Sequence, residues 1–109
     1  MKGKNLGEFE ELILLVVASL DNDAYAVTVQ AEILSKAGRK VNISAVHTGL
    51  YRLEDKGFLS SEFGEATPTR GGKQKRMFQV TSAGFEALQK VKELRQILWR
   101  DIPQLSFRQ

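Results

Sequence analysis

The chain has 109 residues with 16 Lys and Arg, 13 Asp and Glu, one His and no Cys, for a formal net charge of +3 at pH 7. At ~100–200 residues per domain this is one domain around one core, and the lack of cysteine excludes a disulfide framework and a thiolate zinc site. The longest apolar run, Leu12 to Ala18, is far shorter than the ~20 residues of a membrane helix, and Glu8, Glu10 and Glu11 before it argue against a signal peptide, so a small cytoplasmic domain with no membrane partner is expected.

Residues 7–20 place Phe9, Leu12, Ile13, Val16, Val17 and Leu20 at helical spacing, with carboxylates in the first turn where the helix dipole favours them. This helix is apolar on more than one side. Asp21-Asn22-Asp23 stops it. A second helix spans about 25–37, with Val27, Gln30, Ala31 and Leu34 on one face and Gly38 as its C-terminal cap. The spacing predicts a third helix over 44–57, capped by Ser44, with Val46, Leu50, Leu53 and Gly57 as its buried stripe. Residues 58–63 read as a strand, 64–73 as a turn-rich stretch, and 76–80 as the returning strand, with Met77 or Phe78 and Val80 alternating. Ser82 then caps a long helix over about 83–100, stopped by Pro103. The expected fold is mainly α with a small β-hairpin: a winged helix-turn-helix over residues 1–81 and a long C-terminal helix within 82–109, forming one structural unit.

Charge is unevenly spread. Residues 1–35 carry a net −4, residues 36–76 a net +5 from nine basic against four acidic side chains, and residues 77–109 a net +2. A basic middle third is what a polyanion-binding face looks like, although a solvated surface has the same signature. The placement favours the first. Opposite its buried stripe, the third helix carries Ser44, His47, Thr48 and Tyr51, flanked by Arg52, with no carboxylate before Glu54. Short hydroxyls, an imidazole and a phenol can hydrogen-bond base edges and phosphates, whereas an ordinary wet helix face carries more Glu and Lys. The turn between the strands adds Arg70, Lys73, Lys75 and Arg76 within seven residues, and Gly71 and Gly72 let it bend close to a phosphate backbone.

The run Val46-His47-Thr48-Gly49-Leu50-Tyr51-Arg52-Leu53-Glu54-Asp55-Lys56-Gly57-Phe58-Leu59 resembles the recognition-helix signature of PadR-type transcriptional regulators, and Gly71-Gly72-Lys73 through Thr81-Ser82-Ala83-Gly84 resembles the wing of that family. Tyr25 matches the residue that opens the family's second helix, with Ala24 in place of the usual Gly. The matches span roughly residues 6–100. His47 and Thr48 stand where the family often has Tyr and Pro, which bears on which bases are read. The resemblance implies a homodimeric repressor with the helix 44–57 in the major groove of double-stranded DNA and the basic wing 64–76 on the flanking backbone. A near-palindromic operator follows from twofold symmetry.

Phe85, Leu88, Val91, Leu94 and Leu98 recur every three or four residues on the last helix, a longer stripe than a domain of this size covers alone, so these residues and Trp99 are the expected dimer interface. Packing on the first helix accounts for part of it. The shortness of this helix resembles the compact branch of the family, whose drug-binding members stack planar ligands on a Trp of the last helix. Here the matching position is Arg95 and Trp99 falls one turn later, so Trp99 is expected to anchor packing, and a small-molecule inducer would be of unknown identity. Nothing points to an enzyme, metal or cofactor. His47 has no second His or Cys near it, a Ser-His-Asp set is not credible, and Gly71-Gly72-Lys73 lacks the frame of a phosphate loop. The rival reading is a winged-helix protein-interaction module without specific DNA binding.

Overall fold

A computed structural model describes residues 5–64 and 75–103. In chain order these form α1 (Glu8–Leu20), a single 3₁₀ turn (Asp21–Asp23), α2 (Ala26–Ala37), α3 (Ile43–Asp55), β1 (Leu59–Phe63), β2 (Arg76–Val80) and α4 (Ser82–Arg100). The strands are antiparallel, with Leu59 opposite Val80 and Phe63 opposite Arg76. On the other side of β2, the Phe78 N–H donates to the Ala24 carbonyl (2.8 Å), which ties the hairpin to the segment that leads into α2. Arg70 and Lys73 lie outside the described residues.

α1 is the central helix. It buries Ile13, Leu14, Val16 and Val17, which accounts for its apolar residues on more than one side. Glu10 accepts from the Gly7 N–H (3.1 Å) and so satisfies a donor at the N-terminus. Asp21, with φ 56°, turns the chain out of the helix. α2 starts where Thr28 Oγ1 accepts from the Tyr25 N–H (3.0 Å), and it ends at Gly38 in the left-handed region, whose N–H reaches the Leu34 carbonyl. The face that α2 buries is Ala26, Val29 and Ile33, whereas Val27, Ala31 and Leu34 face solvent and Gln30 donates to the Val41 carbonyl. Both stripes are apolar at helical spacing. Periodicity alone cannot choose between them, and contact with α1 and α3 does.

The N-cap of α3 is Asn42, whose Oδ1 accepts from the Ala45 N–H (2.7 Å), and Ser44 lies in the first turn with its side chain exposed. Asn and Ser cap about equally well, so residue type alone did not place the cap. α3 buries Val46, Leu50 and Leu53, and with them Gly49, where a Cβ would collide with Ile13 Cδ1; this is the close approach of α3 to α1. Gly57 does not extend the buried stripe. The helix has already ended, and Gly57 is exposed with φ 84°, donating to the Glu54 carbonyl while Phe58 donates back to Leu53. That pair of bonds is a Schellman cap, which needs the left-handed residue that glycine supplies.

The cap of α4 is Thr81, one residue before the expected Ser82. Thr81 Oγ1 accepts from the Gly84 N–H (3.0 Å) and donates to the Gly57 carbonyl (2.7 Å). The Thr81 N–H meets the Phe58 carbonyl (3.0 Å), so the end of α3, the end of β2 and the start of α4 form one joint. The core above this joint is Ile13, Leu14, Val17, Val29, Ile33, Val46, Leu50, Leu53 and Phe78, all fully buried. From Lys92 to Arg100 every residue of α4 is exposed. Among the described residues, no single helix is long and apolar enough to cross a membrane.

Candidate nucleic-acid interface

Ser44, His47, Thr48 and Tyr51 are exposed on one side of α3, and the core stripe of the same helix fixes their direction. The rings of His47 and Tyr51 lie 5.8 Å apart, one turn from each other, and Tyr51 in turn lies 6.3 Å from the buried Phe78 of β2. Thr48 and Arg52 take the opposite flank, where they border a cleft closed by the N-terminal turn of α1 with Glu8 and Glu10. Arg52 is therefore near a carboxylate before any polyanion arrives. The predicted face is thus continuous, but its two edges have different neighbours: the hairpin on one side and α1 on the other.

Many of the cations that make the middle third basic are already engaged. Arg39 pairs with Glu8 (2.6 Å) and covers the Phe9 ring, and Lys36 pairs with Glu32 (2.7 Å) on α2. Lys56 is withdrawn furthest, since its ammonium sits 2.6 Å from Glu10, donates to the Asn5 carbonyl, and leaves the side chain only 18% exposed. Burial pushes the Glu10 carboxyl up, but hydrogen bonds from Lys56 and the Gly7 N–H, with the charges of Lys56 and Arg52, outweigh it and hold its pKa below the ordinary value. The net +5 of residues 36–76 therefore overstates the charge offered to a ligand. Lys75 rests on the residue that caps α2, with its ammonium 3.2 Å from the Tyr25 hydroxyl and 4.5 Å from the ring centre, so the hairpin meets the start of the second helix.

Arg76, expected only as one cation of the turn, and Glu54, not expected to take part at all, join the hairpin to α3. The Arg76 guanidinium reaches Glu54 Oε1 (3.3 Å) and Ser61 Oγ (3.0 Å), and Ser61 donates to the other Glu54 oxygen (2.7 Å). Residue type gave no signal for this, since Glu54 and Asp55 are adjacent carboxylates at the end of α3 and the hairpin register decides which of them Arg76 meets.

The expected dimer residues fall in two groups. Leu88 packs against the core and Val91 is half-buried, so packing within the chain accounts for them in part. Phe85, Leu94, Leu98 and Trp99 are all more than half exposed, and Ile97 and Leu15 of α1, both missed from the sequence, extend the apolar surface. A groove between α1 and α4 is lined by Leu15, Phe85, Leu88 and Trp99, and Arg95 spans it with two hydrogen bonds to Glu11 (2.8 and 3.3 Å). Arg95, the residue expected to match the Trp of the family's compact branch, is thus ion-paired with Glu11.

No protein-family model and no curated protein matches the sequence. Solved structures do. The chain is similar to a PadR-like transcription factor from Bacteroides fragilis at 22% identity and TM-score 0.71, covering 84% of each chain. It is similar to a PadR family transcriptional regulator from Eggerthella lenta at 23% identity and TM-score 0.66, with 90% of this chain and 83% of that one covered. Bacillus subtilis PadR, solved in complex with operator DNA, matches at 17% identity and TM-score 0.64 over 89% of this chain, which spans about half (49%) of that protein. The element order, the two-stranded hairpin and the trailing helix, set beside these matches, show that the chain has the PadR-like winged-helix fold.

Proposed function

We propose that the protein is a sequence-specific DNA-binding transcriptional regulator acting as a homodimeric repressor, with α3 in the major groove and the wing 64–76 on the flanking backbone. The observation that carries this reading is the exposed face of Ser44, His47, Thr48 and Tyr51, with carboxylates only at Glu54 and Asp55 in the last turn, beside a hairpin that approaches its tip through Lys75 and Arg76. A helix presenting such groups beyond a rigid core is the usual geometry of direct base readout. The same fold in Bacillus subtilis PadR was solved with operator DNA, which supports the reading by analogy. Residues 1–81 would be the DNA-binding part and 82–109 the dimerisation helix. Phe85, Leu94, Leu98 and Trp99 need a cover, and a second copy of α4 supplies one in a twofold arrangement that sets the two recognition helices about 34–36 Å apart.

The test is a titration of the purified protein against fragments of its own promoter, with an unrelated duplex as competitor at several salt concentrations, alongside sedimentation of the free protein. Selective binding by a dimer is the expected result, with affinity falling by about 0.9 log unit per log unit of salt for each phosphate contact. Weak and equal binding to both duplexes would contradict it and favour a protein-interaction module.

A further inference from the structure

We infer that Arg76 is a positioning residue for base readout: it does not contact DNA, but fixes Tyr51 and the wing relative to α3 through Glu54 and Ser61. The inference rests on the DNA-binding reading and assigns a role within it. Its basis is a network that spans three elements. Glu54 of α3 uses one oxygen for Arg76 of β2 and the other for Ser61 of β1, and Arg76 also takes Ser61, so all three side chains are mutually bonded. Above this network the guanidinium lies 5.3 Å from the Tyr51 ring centre and 5.4 Å from that of Phe63, the residue opposite it in the hairpin. Tyr51 is thereby bounded by Arg76, Phe78 and His47, while 42% of it stays exposed.

A guanidinium is suited to this place because its planar fork can bond a carboxylate and a hydroxyl at once while its faces meet aromatic rings. A lysine keeps the charge but has neither the plane nor the fork. The neighbouring Lys75 lies against Tyr25 of the segment leading into α2, so adjacent cations in one wing do different jobs. Arg76 counts toward the basic excess of the sequence, yet its charge is matched by Glu54.

The two roles open to Arg76 predict opposite behaviour. A phosphate contact acts on every sequence alike and contributes to the salt dependence, whereas a positioning residue acts on the selected sequence and leaves the salt dependence unchanged. The experiment uses the full chain and two duplexes: one selected by the wild-type protein from a random library, and one unrelated. For Arg76→Gln and Arg76→Lys the inference predicts that the ratio of the two affinities falls about tenfold, near the lower end of what one base contact contributes, while the salt slope stays at the wild-type value. Glu54→Gln, which removes no cation, is predicted to lower the ratio in the same way.

A uniform loss on both duplexes, with the salt slope reduced by about 0.9, would overturn the inference and make Arg76 a phosphate contact. An increase in affinity of Glu54→Gln for all DNA would do the same. An unchanged ratio for all three variants, or a loss explained wholly by a smaller folded fraction in thermal melts, would reduce the network to a structural brace. Should the wild-type protein select no sequence from the library, the DNA-binding reading itself fails, and that is seen before any substitution is made.

Discussion

Replacing Gly84 with alanine adds one methyl group where α4 passes directly against backbone. A Cβ there would overlap the Phe58 carbonyl oxygen and stand 2.8 Å from Val80 Cγ1. The valine methyl could rotate aside, but the carbonyl is backbone and already accepts the Thr81 N–H. Relief therefore requires α4 to move off the end of α3, which strains the Thr81 bonds to Gly57 and Gly84. Overpacking of this kind costs about 1–3 kcal/mol, and two weakened hydrogen bonds add about 1 kcal/mol each. Alanine returns about 1 kcal/mol in helix propensity. The net loss is about 2–4 kcal/mol, which lowers the melting temperature by roughly 10–20 °C for a domain of this size. Urea denaturation at fixed protein concentration measures it, because the proposed dimerisation would make apparent stability depend on concentration. Gly57→Ala, which meets no atom within 4 Å but carries φ 84°, should lose only about 1–2 kcal/mol from the left-handed conformation. A Gly84→Ala protein as stable as wild type would refute the claim that this joint is closed by backbone contact.

Further outcomes follow from the other parts of the structure. Because the folded-state pKa of Glu10 is lowered, its contribution is present above the unfolded value and disappears as pH falls through the folded one. Glu10→Gln should therefore cost about 1–2 kcal/mol at pH 7, between the values for exposed and buried pairs, and the gap to wild type should close in acid when both are followed by urea denaturation. Leu98→Glu places a charge in the exposed stripe of α4 without touching the core, so sedimentation should find a monomer with an unchanged circular dichroism spectrum; a persistent dimer would move the interface elsewhere. Neutralising Arg70, Lys73 and Lys75 together should weaken binding to all duplexes and lower the salt slope by about 0.9 for each phosphate no longer neutralised, and an unchanged slope would take the wing off the DNA.

The elements and their order were legible in the sequence because each carries its own signal: the apolar spacing of α1 and α3, Gly38 after α2, and the basic turn between two short strands. What was not legible depends on which element meets which. Val27, Ala31 and Leu34 repeat as regularly as Ala26, Val29 and Ile33, and only the position of α2 on α1 and α3 decides that the second set is buried. Gly49 and Gly84 each mark a close approach that no local pattern announces. Charge counting missed that Lys56 reaches across the chain to Glu10, so the basic third offers less free charge than its sum. The face of α3 was legible because a helix with a clear buried stripe determines its opposite side. The Arg76 network was not, since it depends on the hairpin register.

The central claim is that the exposed face of α3 reads sequence, and comparing Tyr51→Ala and His47→Ala with wild type tests it most directly. The measured quantity is the ratio of affinities for the selected and the unrelated duplex at one salt concentration. The account predicts that both substitutions lower this ratio, by about 1–3 kcal/mol for a residue that touches a base, while binding to the unrelated duplex changes little. Equal weakening on both duplexes, or no change in either, would contradict it and remove this helix face from the recognition of DNA.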